Sequence, residues 1–496
     1  MDDWSELAQA LAELSASPSA EVREDGEWLA GFAELHCELR QEGKQPLVHL
    51  WSEDRTLTRR VLRVKEQTSE RIVLEVQRFG RNAPGRLEFL RSAGTRTKGR
   101  VTREQFRARF RRFLGEKFPD AEIESTAASP DLERSFSGLY VRGKMREGER
   151  SFAFLAVSPE ENSTAVDGIL AFGLLWLDWA RGHADRRPVE GLRLFVPRGA
   201  SRVLRERLLA VSPSANAEVF EFSEADGEMR RMDPADAGNL KSWLVERSDV
   251  ESDLAAAGEA LARVRAMQPD LPPEAIQLRP TAESHVVAIC FRGLEFARWS
   301  SRGLSFGLGD VQEPLTAANE KKFDKLLREL ALRRGPLAET TNHSLYRAAP
   351  ERRLETMIWS APDRLDAALD PQHLYSQVPA MAAGDRGVLD LLGVTRRGRL
   401  VVIELKASED IQLPVQAVDY WLRVRRQQLH ENFERYGYFS GVKLDPAPPL
   451  LWLVAPGLRF HPSAEILVRY LVREIQVTRI GLMENWRRGV KVLFRQ

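Results

Sequence analysis

Residues 387–394 of the chain are GVLDLLGV, and residues 400–406 are LVVIELK. Both segments are apolar apart from a few positions and are joined by a polar, glycine-containing turn, which predicts a β-hairpin whose second strand is buried. Because side chains alternate along a strand, Glu404 and Lys406 are expected on one face of the second strand. Asp390 lies on the first strand of the hairpin, close enough in register to approach the same place.

Two carboxylates and an ammonium group beside a buried strand are unfavourable unless another charge compensates for them. A Mg²⁺ ion held by Asp390, Glu404 and the backbone carbonyl of Leu405 would do so, because carboxylate and carbonyl oxygens suit this cation. Mn²⁺ is expected to substitute for Mg²⁺. The competing interpretation of Glu404 and Lys406 is a solvent-facing ion pair at the end of a strand.

A helix is predicted shortly after the hairpin. Gln416 and Tyr420 are four residues apart and would share one helix face, and Pro414 suits the first turn. A Glu-x-Lys tripeptide alone carries little weight, since it also occurs at Glu42 and Glu320. Neither of those tripeptides follows an apolar strand with an aspartate on a partner strand.

These residues together resemble the core of the PD-(D/E)xK nuclease superfamily: Asp390, the tripeptide from Glu404 to Lys406, and the helix with Gln416 and Tyr420. The helix motif is similar to that of the RecB-like branch, and the mismatch-endonuclease branch has a comparable set. The resemblance covers about residues 346–480, roughly a third of the chain. The proline that gives the motif its name is absent, because a leucine precedes the aspartate.

The resemblance implies a restriction-endonuclease-like mixed sheet flanked by helices. It also implies Mg²⁺-dependent hydrolysis of phosphodiester bonds of DNA, in DNA repair or in defence against foreign DNA. The family often has a further glutamate on a helix before the hairpin, and Glu355 matches that position, where it would hold a metal-bound water or a second ion. Lys406 would then orient the attacking water, while Gln416 and Tyr420 would position the site or the adjacent phosphate.

An internal repeat is visible at a constant offset of 250 residues, where Gly143 and Gly148 match Gly393 and Gly398. At this offset the acidic and basic site positions are occupied by apolar or aromatic residues in the first copy, namely Tyr140 for Asp390, Phe154 for Glu404 and Ala156 for Lys406. The repeat predicts a degenerate nuclease-like domain upstream of the active one.

The predicted architecture is α/β and multidomain, with a small β-rich N-terminal part. The predicted segments are an N-terminal helical segment (1–45), a small β-rich domain (46–98), the degenerate nuclease-like α/β domain (99–225), a helical and β-hairpin connector (226–345) and the PD-(D/E)xK nuclease domain (346–496). The N-terminal helix is indicated by spacings of three and four residues between Trp28, Phe32, Leu35 and Leu39. A basic amphipathic helix is expected over residues 102–115, and glycine turns are expected at Gly293 and Gly303.

The composition agrees with a globular protein. Of the 496 residues, 43% are hydrophobic and 29% charged, and the two cysteines, Cys37 and Cys290, are too few for a disulfide framework or a cysteine-rich zinc site. The acidic start is unlike a secretory signal, and the longest apolar stretch, 169–177, is too short for a membrane span. We therefore expect a cytoplasmic protein with no membrane partner.

Charge distribution points to a polyanionic partner at the C-terminal end. The whole chain has a net charge of +1, but residues 345–496 contain 22 Lys and Arg against 17 Asp and Glu. Nucleic acid, above all DNA, is the expected partner. The alternative is a nucleic-acid-binding or scaffold protein with a vestigial nuclease fold. With one centre per chain, a monomer would nick a duplex and a homodimer would cut both strands.

Overall fold

The computed structural model describes most of the chain. The described residues are 4–15, 20–24, 27–31, 36–42, 45–51, 56–77, 84–91, 95–131, 134–184, 187–235, 242–281, 283, 285–309, 312–335, 338, 341–379, 381–382 and 388–496. The fold is mixed α/β with several sheets. The chain divides into two compact units, one of residues 1–109 with 307–312, and one of residues 110–306 with 313–496.

The first unit is built on a seven-stranded antiparallel sheet that a helix covers. Three leucines of the helix, Leu7, Leu11 and Leu14, are buried against the sheet in one core. The elements are α1 (Trp4–Ser15), β1 (Ala20–Glu24), β2 (Glu27–Gly31), β3 (His36–Glu42), β4 (Gln45–Trp51), β5 (Thr56–Gln67), β6 (Arg71–Gln77) and β7 (Pro84–Arg91), in the sheet order β2-β1-β7-β6-β5-β4-β3.

The prediction of a helical segment over residues 1–45 is confirmed for 4–15 and wrong for 20–24, 27–31 and 36–42, which are strands. Trp28 and Leu39, whose spacing favoured a helix, lie in strands β2 and β3. Strand β3 pairs along its whole length with β4, so ladder hydrogen bonds and burial against the sheet outweigh the local helical spacing. Phe32 and Leu35, which belonged to the same pattern, lie outside the described residues.

The first α/β copy begins with the basic helix expected over residues 102–115. In its C-terminal part Phe110 and Phe113 are buried, and Phe110 packs on Phe195 and Phe222 of the sheet. The elements are α2 (Thr95–Lys117), β8 (Ala121–Ala127), β9 (Tyr140–Glu147), β10 (Arg150–Val157), α3 (Ser163–Gly182), β11 (Val189–Pro197), α4 (Arg202–Leu208), β12 (Ala217–Ser223) and β13 (Glu228–Met232).

The connector contains helices and a five-stranded antiparallel sheet, with the expected glycine turns at Gly293 and Gly303. Its elements are β14 (Ser242–Trp243), α5 (Arg247–Ala256), α6 (Gly258–Ala266), β15 (Ile276–Pro280), β16 (Val286–Phe291), β17 (Leu294–Ser300), β18 (Gly303–Phe306), β19 (Glu313–Pro314) and α7 (Glu320–Arg334). The short strand β14 pairs with a strand of the second copy, at Met381.

The second copy contains the predicted hairpin and the helix after it. Its elements are α8 (Ser344–Arg347), α9 (Pro350–Ser360), β20 (Leu369–Pro379), β21 (Met381–Ala382), β22 (Val388–Thr395), β23 (Leu400–Leu405), α10 (Leu413–Leu429), α11 (Asn432–Arg435), β24 (Leu450–Pro456), α12 (Ala464–Arg469), β25 (Gln476–Leu482) and β26 (Val492–Arg495). Strand β23 is buried along its whole length, as expected.

The two copies share one topology. The sheets have the orders β8-β9-β10-β11-β12-β13 and β20-β22-β23-β24-β25-β26, and in both the third, fourth and fifth strands run parallel while the outer neighbours are antiparallel. A long helix, α3 or α10, links the third strand to the fourth, and a short helix, α4 or α12, links the fourth to the fifth. The fold is therefore duplicated within the chain.

Candidate active site

Asp390 and Glu404 come together where the hairpin ladder ends. The last residue pair of β22 and β23 on this side is Leu391 with Ile403, so the next residue of each strand continues the register and faces the other. Asp390 Oδ2 accepts a hydrogen bond of 3.0 Å from the backbone N–H of Leu405. The hairpin geometry alone therefore gathers both acids at one end of β23.

Burial raises the pKa of both carboxyl groups. For Asp390 it raises the pKa from 3.8 to about 6, against the opposing effects of the Leu405 N–H and the Arg352 guanidinium. For Glu404, which is 6% exposed, burial raises the pKa well above its usual range, and the neighbouring Asp390 charge raises it further. Within the described residues Glu404 has no ion-pair partner. Two desolvated acids that repel each other form a natural cation site.

Lys406 stays protonated beside these acids. Burial lowers its pKa, but the carboxylates of Glu351, Asp410 and Glu404 outweigh burial, so the pKa of Lys406 lies above its usual value. Its Nζ lies 3.3 Å from Asp410 Oδ2. The ammonium group is thus held by an acid on the loop that follows β23, and it remains a positive hydrogen-bond donor next to Glu404.

Helix α9 places two acids beside the site: Glu355, which the sequence singled out, and Glu351, which it did not. Glu355 is 2% exposed and lies in an arginine network: Arg352 donates to it at 3.0 Å, and Arg279 lies 3.7 Å away. The same Arg352 Nη1 lies 3.7 Å from Asp390 Oδ1, so Arg352 links Glu355 to the acid cluster. The charge of Glu351 raises the pKa of Asp390, along with the pKa values of Glu404 and Lys406. Sequence reasoning missed Glu351, although it precedes Glu355 by four residues and shares its helix face.

Helix α10 presents Tyr420 to the acids. Burial raises the pKa of the Tyr420 hydroxyl, and the charges of Glu404 and Asp390 raise it further. The guanidinium of Arg423 lies 5.8 Å from the centre of the Tyr420 ring. Gln416 lies one turn earlier on α10 and is partly exposed. The structure thus brings Tyr420 to the carboxylates and places Gln416 on the neighbouring turn.

The residues present fit a Mg²⁺ ion. No group of three or more His, Cys, Asp and Glu side chains in the described part of the chain is arranged to hold a metal ion. Mg²⁺, however, is commonly held by one or two carboxylates, with water and substrate phosphate completing its shell. Asp390 and Glu404 supply the two carboxylates, with the carbonyl of Leu405 adjacent, and a cation would offset the repulsion between the two acids.

Several arginines that could have bound a phosphate backbone are engaged within the protein. Arg423 is 4% exposed, Arg425 pairs with Glu474 at 3.3 Å, and Arg426 pairs with an acid of the first copy. Arg487 lies over the rings of Trp486 and Tyr346. Arg488 and Lys491 are exposed to solvent.

The first copy has no counterpart of the acids, but the sequence alignment paired the wrong residues. Glu404 lies on the face of β23 that packs on α10, whereas Phe154 lies on the opposite face of its sheet, against Phe110 and Phe195. On strand β10 the residues that face α3 are Ala153, Leu155 and Val157. By register, Leu155 therefore takes the position of Glu404, and its ladder partner, the buried Arg142, takes that of Asp390. The expectation of apolar or aromatic residues holds at the first position and is wrong at the second.

Loop length explains the misalignment. In the first copy only Gly148 and Glu149 separate the paired residues Glu147 and Arg150, whereas residues 395–399 separate the corresponding pair of the second copy. The loops differ by an odd number of residues, and an odd shift moves every side chain to the other face of a strand.

Two comparisons with known proteins, by family model and by curated sequence, found no match. In the described part of the chain, no helix has both the length and the apolar character needed to cross a bilayer.

Proposed function

We propose that the second copy is a Mg²⁺-dependent nuclease that hydrolyses phosphodiester bonds of DNA. The observation that carries this proposal is the pair of buried carboxylates, Asp390 and Glu404, at one end of β23, with the Lys406 ammonium beside them. Desolvated, mutually repelling acids oppose folding, and proteins retain such groups mainly where they have a chemical task. The PD-(D/E)xK resemblance supplies the reaction class.

The side chains of the site have distinct tasks in this reaction. Asp390 and Glu404 would hold the cation, which when bound supplies a Lewis acid for attack on a phosphodiester. Lys406 would donate hydrogen bonds to the attacking water and to the phosphate oxygens that gain negative charge. Tyr420 would donate its hydroxyl proton in a hydrogen bond at the same place, since its raised pKa keeps it protonated.

DNA is the substrate that we propose, on two grounds. The resemblance is to enzymes that cut nucleic acid, and the excess of basic over acidic residues in 345–496 favours a polyanion. DNA repair and defence against foreign DNA are the biological contexts that such a nuclease would serve.

The test compares cleavage of supercoiled plasmid by the wild type and by Glu404→Gln, which keeps the shape of the side chain and removes its charge. Each protein is assayed with Mg²⁺, with Mn²⁺ and with a chelator. The matched control is Glu409→Gln, five residues further along the chain, because the Glu409 side chain is 47% exposed and lies outside the acid cluster. Single-stranded DNA, duplex DNA and RNA are then compared as substrates.

We expect cleavage only with a divalent cation, loss of at least about 100-fold in Glu404→Gln, and unchanged activity in Glu409→Gln. A wild type that leaves every substrate intact in both metals, while still binding DNA, would favour the scaffold alternative. Cleavage that survives in Glu404→Gln would show that the activity arises elsewhere.

A further inference from the structure

The two copies pack on each other in a reciprocal way. Long helix α3 of the first copy contacts short helix α12 of the second, and long helix α10 of the second contacts short helix α4 of the first. Because α3 corresponds to α10 and α4 to α12 in the shared topology, each copy offers the same two helices to the other. This is the contact pattern of a twofold dimer, in which one patch is complementary to itself.

The two chain segments that cross at the centre of this interface are also equivalent. Val211 and Leu471 each lie in the link between the short helix and the next parallel strand, and they pair with each other in an isolated antiparallel bridge. Ser212 N donates to Tyr470 O at 2.7 Å, and Val472 N donates to Ala210 O at 2.9 Å. In a twofold dimer, equivalent segments of the two subunits cross antiparallel to each other at the symmetry axis. Here the two equivalent segments belong to one chain.

The interface is buried and apolar at its centre. The core of the first copy includes Val415, Leu467 and Tyr470 of the second copy, and the core of the second includes Ala210 of the first. Shared cores of this kind are typical of permanent interfaces. The surface that the second copy would present to another nuclease domain is therefore covered by the first copy.

One contact across the interface reaches the candidate active site. Arg207 of α4 is 5% exposed and donates two hydrogen bonds to the carboxylate of Asp419 on α10, one from Nε at 2.8 Å and one from Nη2 at 2.7 Å. Asp419 immediately precedes Tyr420, whose hydroxyl lies near the acids. A bidentate arginine–carboxylate pair fixes the orientation of the two side chains as well as the distance between them. It therefore holds in place the turn of α10 that contains Tyr420.

We propose that the first copy is a built-in partner subunit, which occupies the twofold interface of the second copy and holds helix α10 in its cutting position. The chain then acts as a monomer with one cutting centre and nicks one strand of a duplex at a time. This inference rests on the proposed nuclease function, and it makes Arg207 and Asp419 positioning residues.

The first experiment measures the oligomeric state and the product. Sedimentation equilibrium is expected to give the mass of a monomer. With supercoiled plasmid and Mg²⁺, nicked circles are expected to accumulate before any linear DNA, at a rate proportional to enzyme concentration. A dimer in solution, or linear DNA that forms without a nicked intermediate, would overturn the inference.

The second experiment is a double-mutant cycle with Arg207→Gln and Asp419→Asn. Each single variant is expected to lower kcat by about 10- to 100-fold with little change in KM for DNA, because a displaced α10 misorients the site. The double variant is expected to be no worse than either single one. The matched control is Asp178→Asn, which removes a contact of the same interface, to Arg469 and Tyr470, but does not touch α10.

Equal losses of kcat in Arg207→Gln and Asp178→Asn would mean that Arg207 only stabilises the fold in general. That result would contradict the inference. A readout independent of cleavage is hydrogen exchange of the backbone amides of α10 (Leu413–Leu429). Arg207→Gln is expected to speed this exchange and Asp178→Asn to leave it unchanged. If the wild type cuts nothing, the proposed function fails, while sedimentation and hydrogen exchange still decide whether the first copy holds α10.

Discussion

Asp390→Asn is expected to stabilise the cation-free protein while it abolishes cleavage. The amide keeps the size of the side chain, and its oxygen can still accept the hydrogen bond from the Leu405 N–H, which is 3.0 Å in the wild type. The substitution removes a negative charge that burial makes unfavourable. Stability and activity are therefore expected to move in opposite directions, as is common at functional sites.

The expected gain in the free energy of unfolding follows from the pKa of Asp390, which burial raises from 3.8 to about 6. Each tenfold change in an acid constant corresponds to about 1.4 kcal/mol, so the ionised carboxylate opposes folding by roughly 3 kcal/mol at pH 8. Because the pKa is higher in the folded chain, this opposition is fully present above pH 6. It decreases as the pH falls through about 6 and is absent below about 3.8, where the group is protonated in both states.

The assay is thermal or urea unfolding of wild type and Asp390→Asn in a chelator, between pH 8 and pH 4. At pH 8 the variant is expected to be more stable by roughly 3 kcal/mol, and the difference should stay nearly constant down to about pH 6 and then shrink toward pH 4. Mg²⁺ is expected to stabilise the wild type and to have little effect on the variant. A variant that is no more stable at pH 8, or a difference that does not change with pH, would refute the reasoning.

Three further substitutions test other parts of the description. Lys406→Met is expected to lower cleavage by at least about 100-fold, measured with plasmid, while Mg²⁺ still raises the melting temperature. Gly293→Ala would place a methyl group 2.2 Å from the carbonyl oxygen of Arg352 at a φ of +79°, so we expect a loss of about 2 kcal/mol or more in urea unfolding. Gly303→Ala, at a φ of +110° but with open space around it, is the control and should be milder. Phe154→Ala is expected to lower stability by about 3–5 kcal/mol, and the cleavage that remains at low temperature should keep its metal dependence.

The acid cluster could be predicted because strand geometry is local. Alternation along β23 fixes the face that Glu404 and Lys406 share, and the hairpin turn fixes the strand that lies opposite. No further information is needed to bring Asp390 near them. The helix with Gln416 and Tyr420 was predictable for the same reason, since a spacing of four residues is a local property.

The features that the sequence did not predict are contacts between separate secondary-structure elements. How closely each of the two acids on this face of α9 approaches the cluster depends on where the helix lies along its axis relative to the end of β23, and the spacing of Glu351 and Glu355 does not determine that position. Asp419 pairs with Arg207, which is 212 residues away in the sequence, so no local pattern indicates the pair. The false match of Phe154 with Glu404 arose because the glycine alignment does not reveal a change in loop length.

Parts of the chain outside the candidate site hold the helices on both sides of β23. Arg279, on a connector strand, lies 3.7 Å from Glu355, and Arg352 links that acid to Asp390 at 3.7 Å. Arg207 of the first copy holds α10 from the other side. A rigid site needs supporting contacts of this kind, because small displacements of catalytic groups lower rates steeply. The first copy and the connector thus each hold one of the two helices that flank the candidate site.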